Sequence, residues 1–87
     1  MPNNDQSVEG LLAWRERLGR QVRVDGDYLI VDIGYSYEIA LSRLDSAEKI
    51  LAWVHHLSQK ANVSAEILGE VIVVAGRQIG WVPEVSA

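Results

Sequence analysis

Between Gln21 and Ser42 polar and apolar residues alternate, and this period of two constrains the fold more than any other feature of the chain. Val22 and Val24 alternate with Gln21, Arg23 and Asp25, and Leu29, Val31 and Ile33 alternate with Tyr28, Ile30 and Asp32. Successive side chains of a strand point to opposite faces, so each run has one face to bury. Register selects the turn between them. With Gly26-Asp27 as the loop, Asp25 faces Tyr28, Val24 faces Leu29 and Val22 faces Val31, and every aliphatic residue except Ile30 shares one face. With Asp25-Gly26 as the loop, Val24 would face Asp27 and the apolar face would be spoiled. The first register is therefore expected, and glycine at the first loop position suits a type II′ turn. Gly34 and Ser36 mark a second turn. Tyr37, Ile39 and Leu41 then alternate with Glu38, Ala40 and Ser42 as a third strand, completing an antiparallel meander with one buried face.

On either side the apolar period lengthens to that of a helix. Ser7 is a candidate N-cap for a short helix whose stripe is Val8, Leu11, Leu12 and Leu18, with Trp14 off the stripe and Gly19 ending it. Asp45-Ser46-Ala47-Glu48 has the form of a capping box. The helix it opens runs to about Lys60, with Ala47, Ile50, Leu51, Val54, Leu57 and Ala61 inward and Trp53 on one shoulder. After a break at Ala61-Asn62-Val63, Ser64 caps a last helix that turns Ile67, Leu68, Val71, Ile72, Ala75 and Ile79 inward. The β-branched run from Val71 to Val74 would equally suit a buried strand. Pro83 biases Val82 towards an extended tail. The expected fold is α+β: a three-stranded antiparallel meander packed by an N-terminal helix and a C-terminal helical hairpin, in the order αβββαα. With 87 residues the chain reads as a single domain, 1–87, with 1–6 and 82–87 as loose tails.

Hydrophobic residues make up 48% of the chain, enough for a core, and there is no cysteine to supply disulfides, thiolate metal sites or a nucleophile. His55 and His56 are adjacent, so on a helix their rings point about 100° apart and are poorly placed to ligate one metal. Asp25, Asp27 and Asp32 lack the spacing and closing glutamate of a calcium loop. No serine elbow or phosphate-cradling glycine loop occurs. The expectation is a protein that is not an enzyme and uses no cofactor or metal, with a small enzyme subunit completed by a partner chain as a third reading. The opening MPNNDQSVEG does not have the pattern of a signal peptide, and Gly69, Glu70, Gly76 and Arg77 interrupt the apolar run Ile67 to Ile79, so a cytoplasmic protein without membrane contact is expected.

Twelve acids against eight bases give a net charge of −4, and apart from Arg15, Arg17, Arg20 and Arg23 the bases are scattered. Direct nucleic-acid binding, which needs clustered bases, is not expected. Leu57 to Leu68 nevertheless resembles the core of helix-turn-helix repressors. Ser58 stands at the small packing position, Asn62 in place of the turn glycine, and Leu57, Ala61, Val63, Leu68 and Val71 in the apolar slots. Glu66 and Glu70 near the start of the would-be recognition helix oppose that reading. The surface expected to meet a partner is the outer face of the meander and its turns: Asp25, Asp27, Tyr28, Ile30, Asp32, Tyr35 and Glu38. Tyrosine beside carboxylate, with an exposed isoleucine, is an interface-like mixture. Trp14 and Trp81 are further candidates to cap the core or anchor a partner.

The stretch Leu44 to Leu68, LDSAEKILAWVHHLSQKANVSAEIL, resembles segments of short phage and mobile-element proteins, and the whole chain resembles anti-CRISPR proteins in size, acidity and lack of cysteine. That resemblance implies an inhibitor, monomeric or homodimeric, that occupies a surface of a protein or nucleoprotein complex such as a CRISPR effector in the bacterial cytoplasm. Its acidic residues would meet a basic groove there. The class has no shared motif, so no residue roles follow from it. The alternative reading is a helix-turn-helix DNA-binding regulator.

Overall fold

The computed structural model describes residues 8–81. They form helix α1 (Val8–Gln21), strands β1 (Val22–Asp25), β2 (Tyr28–Asp32) and β3 (Ser36–Ala40), a single 3-10 turn (Leu41–Leu44), and helices α2 (Ala47–Ser58) and α3 (Ala65–Ile79). The fold is α+β with a three-stranded antiparallel meander in the order β1-β2-β3. Val22 pairs with Val31, Val24 with Leu29 and Asp25 with Tyr28, the register that the apolar pattern demands. Gly26 has φ 61° while Asp27 stays out of the left-handed region, as a type II′ turn requires. The third strand is shorter than the alternation suggests. It stops at Ala40, where the Leu41 N–H donates to the Asp27 carbonyl at 2.8 Å, and Leu41 to Leu44 coil into the 3-10 turn instead.

Val22, Leu29, Val31 and Ile39 on one sheet face, Leu18 of α1, Leu44, Ile50 and Leu57 of the next segment, and Ile67, Val71 and Ala75 of α3 make one buried cluster. Each large member removed from water contributes about 1.5–3 kcal/mol.

The helices differ from the sequence expectation in their phases. α1 does not end at Gly19. It runs through it to Gln21 and passes directly into β1 at Val22. That junction sets its rotation: the face turned inward carries Gly10, Trp14, Leu18 and Gln21. Leu11 and Leu12 are 53% and 57% exposed, because at about 100° per residue Leu12 falls on the far side and Leu11 on a shoulder. The proposed Ser7 cap lies outside the described residues, as do both tails, 1–6 and 82–87.

α2 is capped by Ser46, whose hydroxyl accepts from the Lys49 N–H at 3.2 Å. Glu48 is then one position too early to return the bond, so the capping box does not form. Asp45 instead pairs with the Lys49 ammonium at 2.8 Å. The helix ends at Ser58, which leaves Ala61 exposed beyond it, and Leu51 is 53% exposed. Asn62 takes φ 69° in the turn, the left-handed conformation that asparagine tolerates best after glycine. The Ser64 hydroxyl accepts from the Ile67 N–H at 3.2 Å and opens α3. The β-branched run is helical, since it lies between the sheet, α1 and α2, and burial outweighs its strand preference. Ile79, expected inward, is 36% exposed at the helix end. α3 closes with Gly80 at φ 71°, the Gly80 N–H on the Arg77 carbonyl and the Trp81 N–H on the Gly76 carbonyl, the two bonds of a Schellman motif.

Candidate interaction surface

The pleat of the meander turns Arg23 and Asp25 of β1, Tyr28, Ile30 and Asp32 of β2, and Ser36, Glu38 and Ala40 of β3 to the side away from the core. Asp27 sits in the β1–β2 turn and is exposed. The outer face and that turn thus hold four carboxylates, Asp25, Asp27, Asp32 and Glu38, against one guanidinium, Arg23. Tyr28 among them is 46% exposed.

Two of the expected partner-facing residues behave differently. Ile30 is not exposed: only 5% of it remains accessible, although it lies outside the core cluster. The register sets Arg23 on one side of it and Glu38 on the other. Arg23 reaches diagonally to Asp32, and its aliphatic stem is drawn alongside the isoleucine. Tyr35 is 59% exposed but stands with a different group. Its ring lies 6.4 Å from that of Tyr37, which points to the helix side of the sheet.

Asp32 is tied on both oxygens. The Arg23 guanidinium donates to Oδ2 at 2.7 Å and the Ser36 hydroxyl to Oδ1 at 3.1 Å. The bond from Arg23, helped by Ser36 and opposed by slight desolvation, holds its carboxyl below the ordinary value of 3.8. Arg23 also donates to the Arg20 carbonyl at 2.6 Å, which satisfies an acceptor at the end of α1.

The arginine cluster of α1 is partly spent within the fold. Arg15 donates to Glu70 at 3.3 Å, and Glu70, expected to project from a recognition helix, is only 6% exposed. Arg20 leans towards Glu16 at 3.9 Å. Arg17 lines a groove of about 540 Å³ between the end of α1 and the start of α3, together with Trp14, Gln21, Asn62, Ser64 and Glu66.

A row of rings on the helix side was not legible in the sequence. Tyr37 of β3 meets Trp53 of α2 edge to face at 6.4 Å, Trp53 meets His56 at 5.5 Å, and the Lys60 ammonium sits 4.9 Å over the Tyr37 ring. Shallow depressions flank Trp53, one lined by Ala52 and His56, the other by Ser42, Arg43 and Lys49. Trp53 read as a helix shoulder and Tyr37 as a core residue. Only the packing of α2 beside the end of β3 joins them. The histidines diverge: His56 joins the row, while the His55 ring lies 3.2 Å from the Gln59 amide. Among the described residues no three His, Asp or Glu side chains converge as a metal would need, and no helix is long and apolar enough to cross a membrane.

No protein-family model matches the chain, and neither the curated proteins nor the solved structures include a significantly similar one.

Proposed function

We propose that the protein is a small acidic binding module without catalytic activity that acts by occupying a surface of a larger host protein or nucleoprotein complex, most concretely as an anti-CRISPR-type inhibitor in the bacterial cytoplasm. The observation that carries this reading is the placing of Asp25, Asp27 and Glu38 near the exposed Tyr28, with Asp32 at the far end of the same strand, on the outer face and adjoining turn of a short meander. Four carboxylates against one guanidinium account for most of the chain's net charge of −4. Such a face attracts a basic groove from a distance, accelerates encounter at low ionic strength, and blocks access by bulk once seated. Tyr28 supplies a rigid amphipathic contact at the edge of that charge. The Arg23–Asp32 pair holds one carboxylate in a fixed orientation instead of leaving it to sample rotamers.

The alternative, a helix-turn-helix regulator, has the α2–α3 hairpin in its favour. Against it, α3 packs on α1, α2 and the sheet, and its exposed stripe of Glu66, Gly69 and Arg77 offers a single base. A recognition helix must stand free to enter a major groove and present donors there.

The test is titration of the protein into target-DNA cleavage reactions run with a panel of purified CRISPR effectors. The Asp25→Lys/Asp27→Lys/Glu38→Lys variant serves as control. The expected outcome is dose-dependent loss of cleavage by at least one effector, weakening with salt and abolished in the variant. Full cleavage by every effector removes the anti-CRISPR reading. Sequence-selective, salt-sensitive retardation of duplex DNA by the protein alone puts the regulator in its place.

A further inference from the structure

The hydrogen-bond phase of the meander leaves the outer edge of β3 unspent. The Ile33 N–H donates to the Tyr35 carbonyl and the Leu41 N–H to the Asp27 carbonyl. In an antiparallel ladder bonded and non-bonded pairs alternate. Leu29–Ile39 and Val31–Tyr37 are therefore bonded pairs, while Tyr28–Ala40, Ile30–Glu38 and Asp32–Ser36 are not. It follows that the backbone N–H and C=O groups of Ser36, Glu38 and Ala40 point away from β2, along the free side of β3. The Ala40 carbonyl caps the 3-10 turn that begins at Leu41, which leaves the outward groups of Ser36 and Glu38 and the Ala40 N–H along this side, and β3 is the last strand of the sheet. No proline, lysine or bulge interrupts Ser36 to Ala40, and the one charge on the strand is Glu38.

The two flanks of this edge carry opposite charge. On the outer side stands Glu38 with the acidic face. On the helix side lies the ledge of Tyr37, Trp53 and His56, with the ammonium of Lys60 over Tyr37 and with Arg43 and Lys49 beside Trp53. Lys49 is held by Asp45, whereas Arg43 makes no ion pair with another of the described residues.

We propose that the β3 edge is a docking site for an extended segment of a partner protein, added as a fourth antiparallel or parallel strand, with acidic side chains at alternate positions turned towards the ledge of α2. Main-chain bonds to Ser36, to Glu38 and to the Ala40 N–H supply the attachment. The alternate side chains supply the choice of partner, carboxylates meeting Arg43 and Lys60 while their methylenes pack on Trp53. Charge argues against a second copy as the occupant. Pairing β3 with its own symmetry mate about its centre sets Glu38 opposite Glu38 and brings two acidic faces side by side. The site is separate from the acidic outer face and does not depend on its role.

The probe is a fluorescein-labelled octapeptide of alternating glutamate and threonine, titrated with the full chain and followed by anisotropy. Two comparison peptides replace glutamate by lysine, or N-methylate the backbone at every residue, which blocks the donors of both edges, and with them the bonding edge, without altering the side chains. The glutamate peptide is expected to bind more tightly than the lysine peptide. N-methylation on the bonding edge should weaken it about tenfold. Arg43→Glu/Lys60→Glu should weaken it about fivefold or more. Asp25→Asn/Asp27→Asn should leave binding unchanged, which separates this site from the outer face. Equal binding of both charged peptides, or indifference to N-methylation, overturns the proposal. So does a chain that is dimeric in sedimentation and loses its dimer on Glu38→Pro, since the edge would then be filled by a second copy.

Discussion

A methyl group added at Gly69 and one added at Gly76 meet opposite surroundings in the same helix. At Gly69 the Cβ would enter open space, so alanine brings its better helix propensity at no steric cost. At Gly76 it would collide with the Trp81 carbonyl oxygen, which is backbone and fixed by the Schellman bond, and press on the indole. Gly69→Ala is expected to raise stability by about 0.5–1 kcal/mol, and Gly76→Ala to lower it by about 1–3 kcal/mol. Thermal midpoints measured side by side check the pair, since about 1 kcal/mol moves a domain of this size by roughly 4–8 °C. A stabilising Gly76→Ala would show that Trp81 does not close over the helix. Glu70 makes a related point: a buried carboxylate persists here because a half-exposed Arg15 reaches in to pair with it.

At the scale of elements, α1 tests whether its phase is set by its own stripe or by its junction with β1. Leu18 is 4% exposed and belongs to the core, whereas Leu11 and Leu12 face outwards. Leu18→Ala is expected to cost about 2–4 kcal/mol in urea unfolding, while Leu11→Gln/Leu12→Gln should change stability by less than about 0.5 kcal/mol. A large loss from the double substitution would mean that this face is covered in solution. The sheet needs no such test of direction. Its register was legible from Val22, Val24, Leu29 and Val31 because a slip by one residue would turn every one of them outwards. The helix phases were less legible, since an amphipathic stripe about 100° wide leaves room to rotate and the neighbouring elements choose within it.

For the whole molecule, charge links stability to pH through two carboxylates. Asp32, bonded to Arg23, and Asp45, bonded to Lys49, both have lowered pKa values. A carboxyl whose folded value is depressed adds stability above its unfolded value, near 3.8, and that contribution is lost as the pH falls through the folded value. Both groups are solvated, so the effect is small and confined to acid. The expected result is that Asp32→Asn and Asp45→Asn flatten the decline of the thermal midpoint below about pH 4 while leaving its slope near neutrality alone. An acid limb unchanged in both variants would show that neither pair persists in solution. The candidate surface was half legible at this scale. The acids and Tyr28 share a face by strand period alone, but the covering of Ile30 and the gathering of Tyr37, Trp53 and His56 depend on side chains that are distant in sequence.

From its sequence alone the chain determines the order of its elements, the register of its first hairpin and the cap at Ser64. Each of these follows from bonds or faces within a few residues of one another. Which side of α1 and α2 turns inwards, that Glu70 is buried, and that the free edge of β3 lies beside an aromatic and basic ledge were decided only in three dimensions. Those outcomes depend on how separate segments share one small core, and local periodicity carries no information about the neighbour that finally covers a residue.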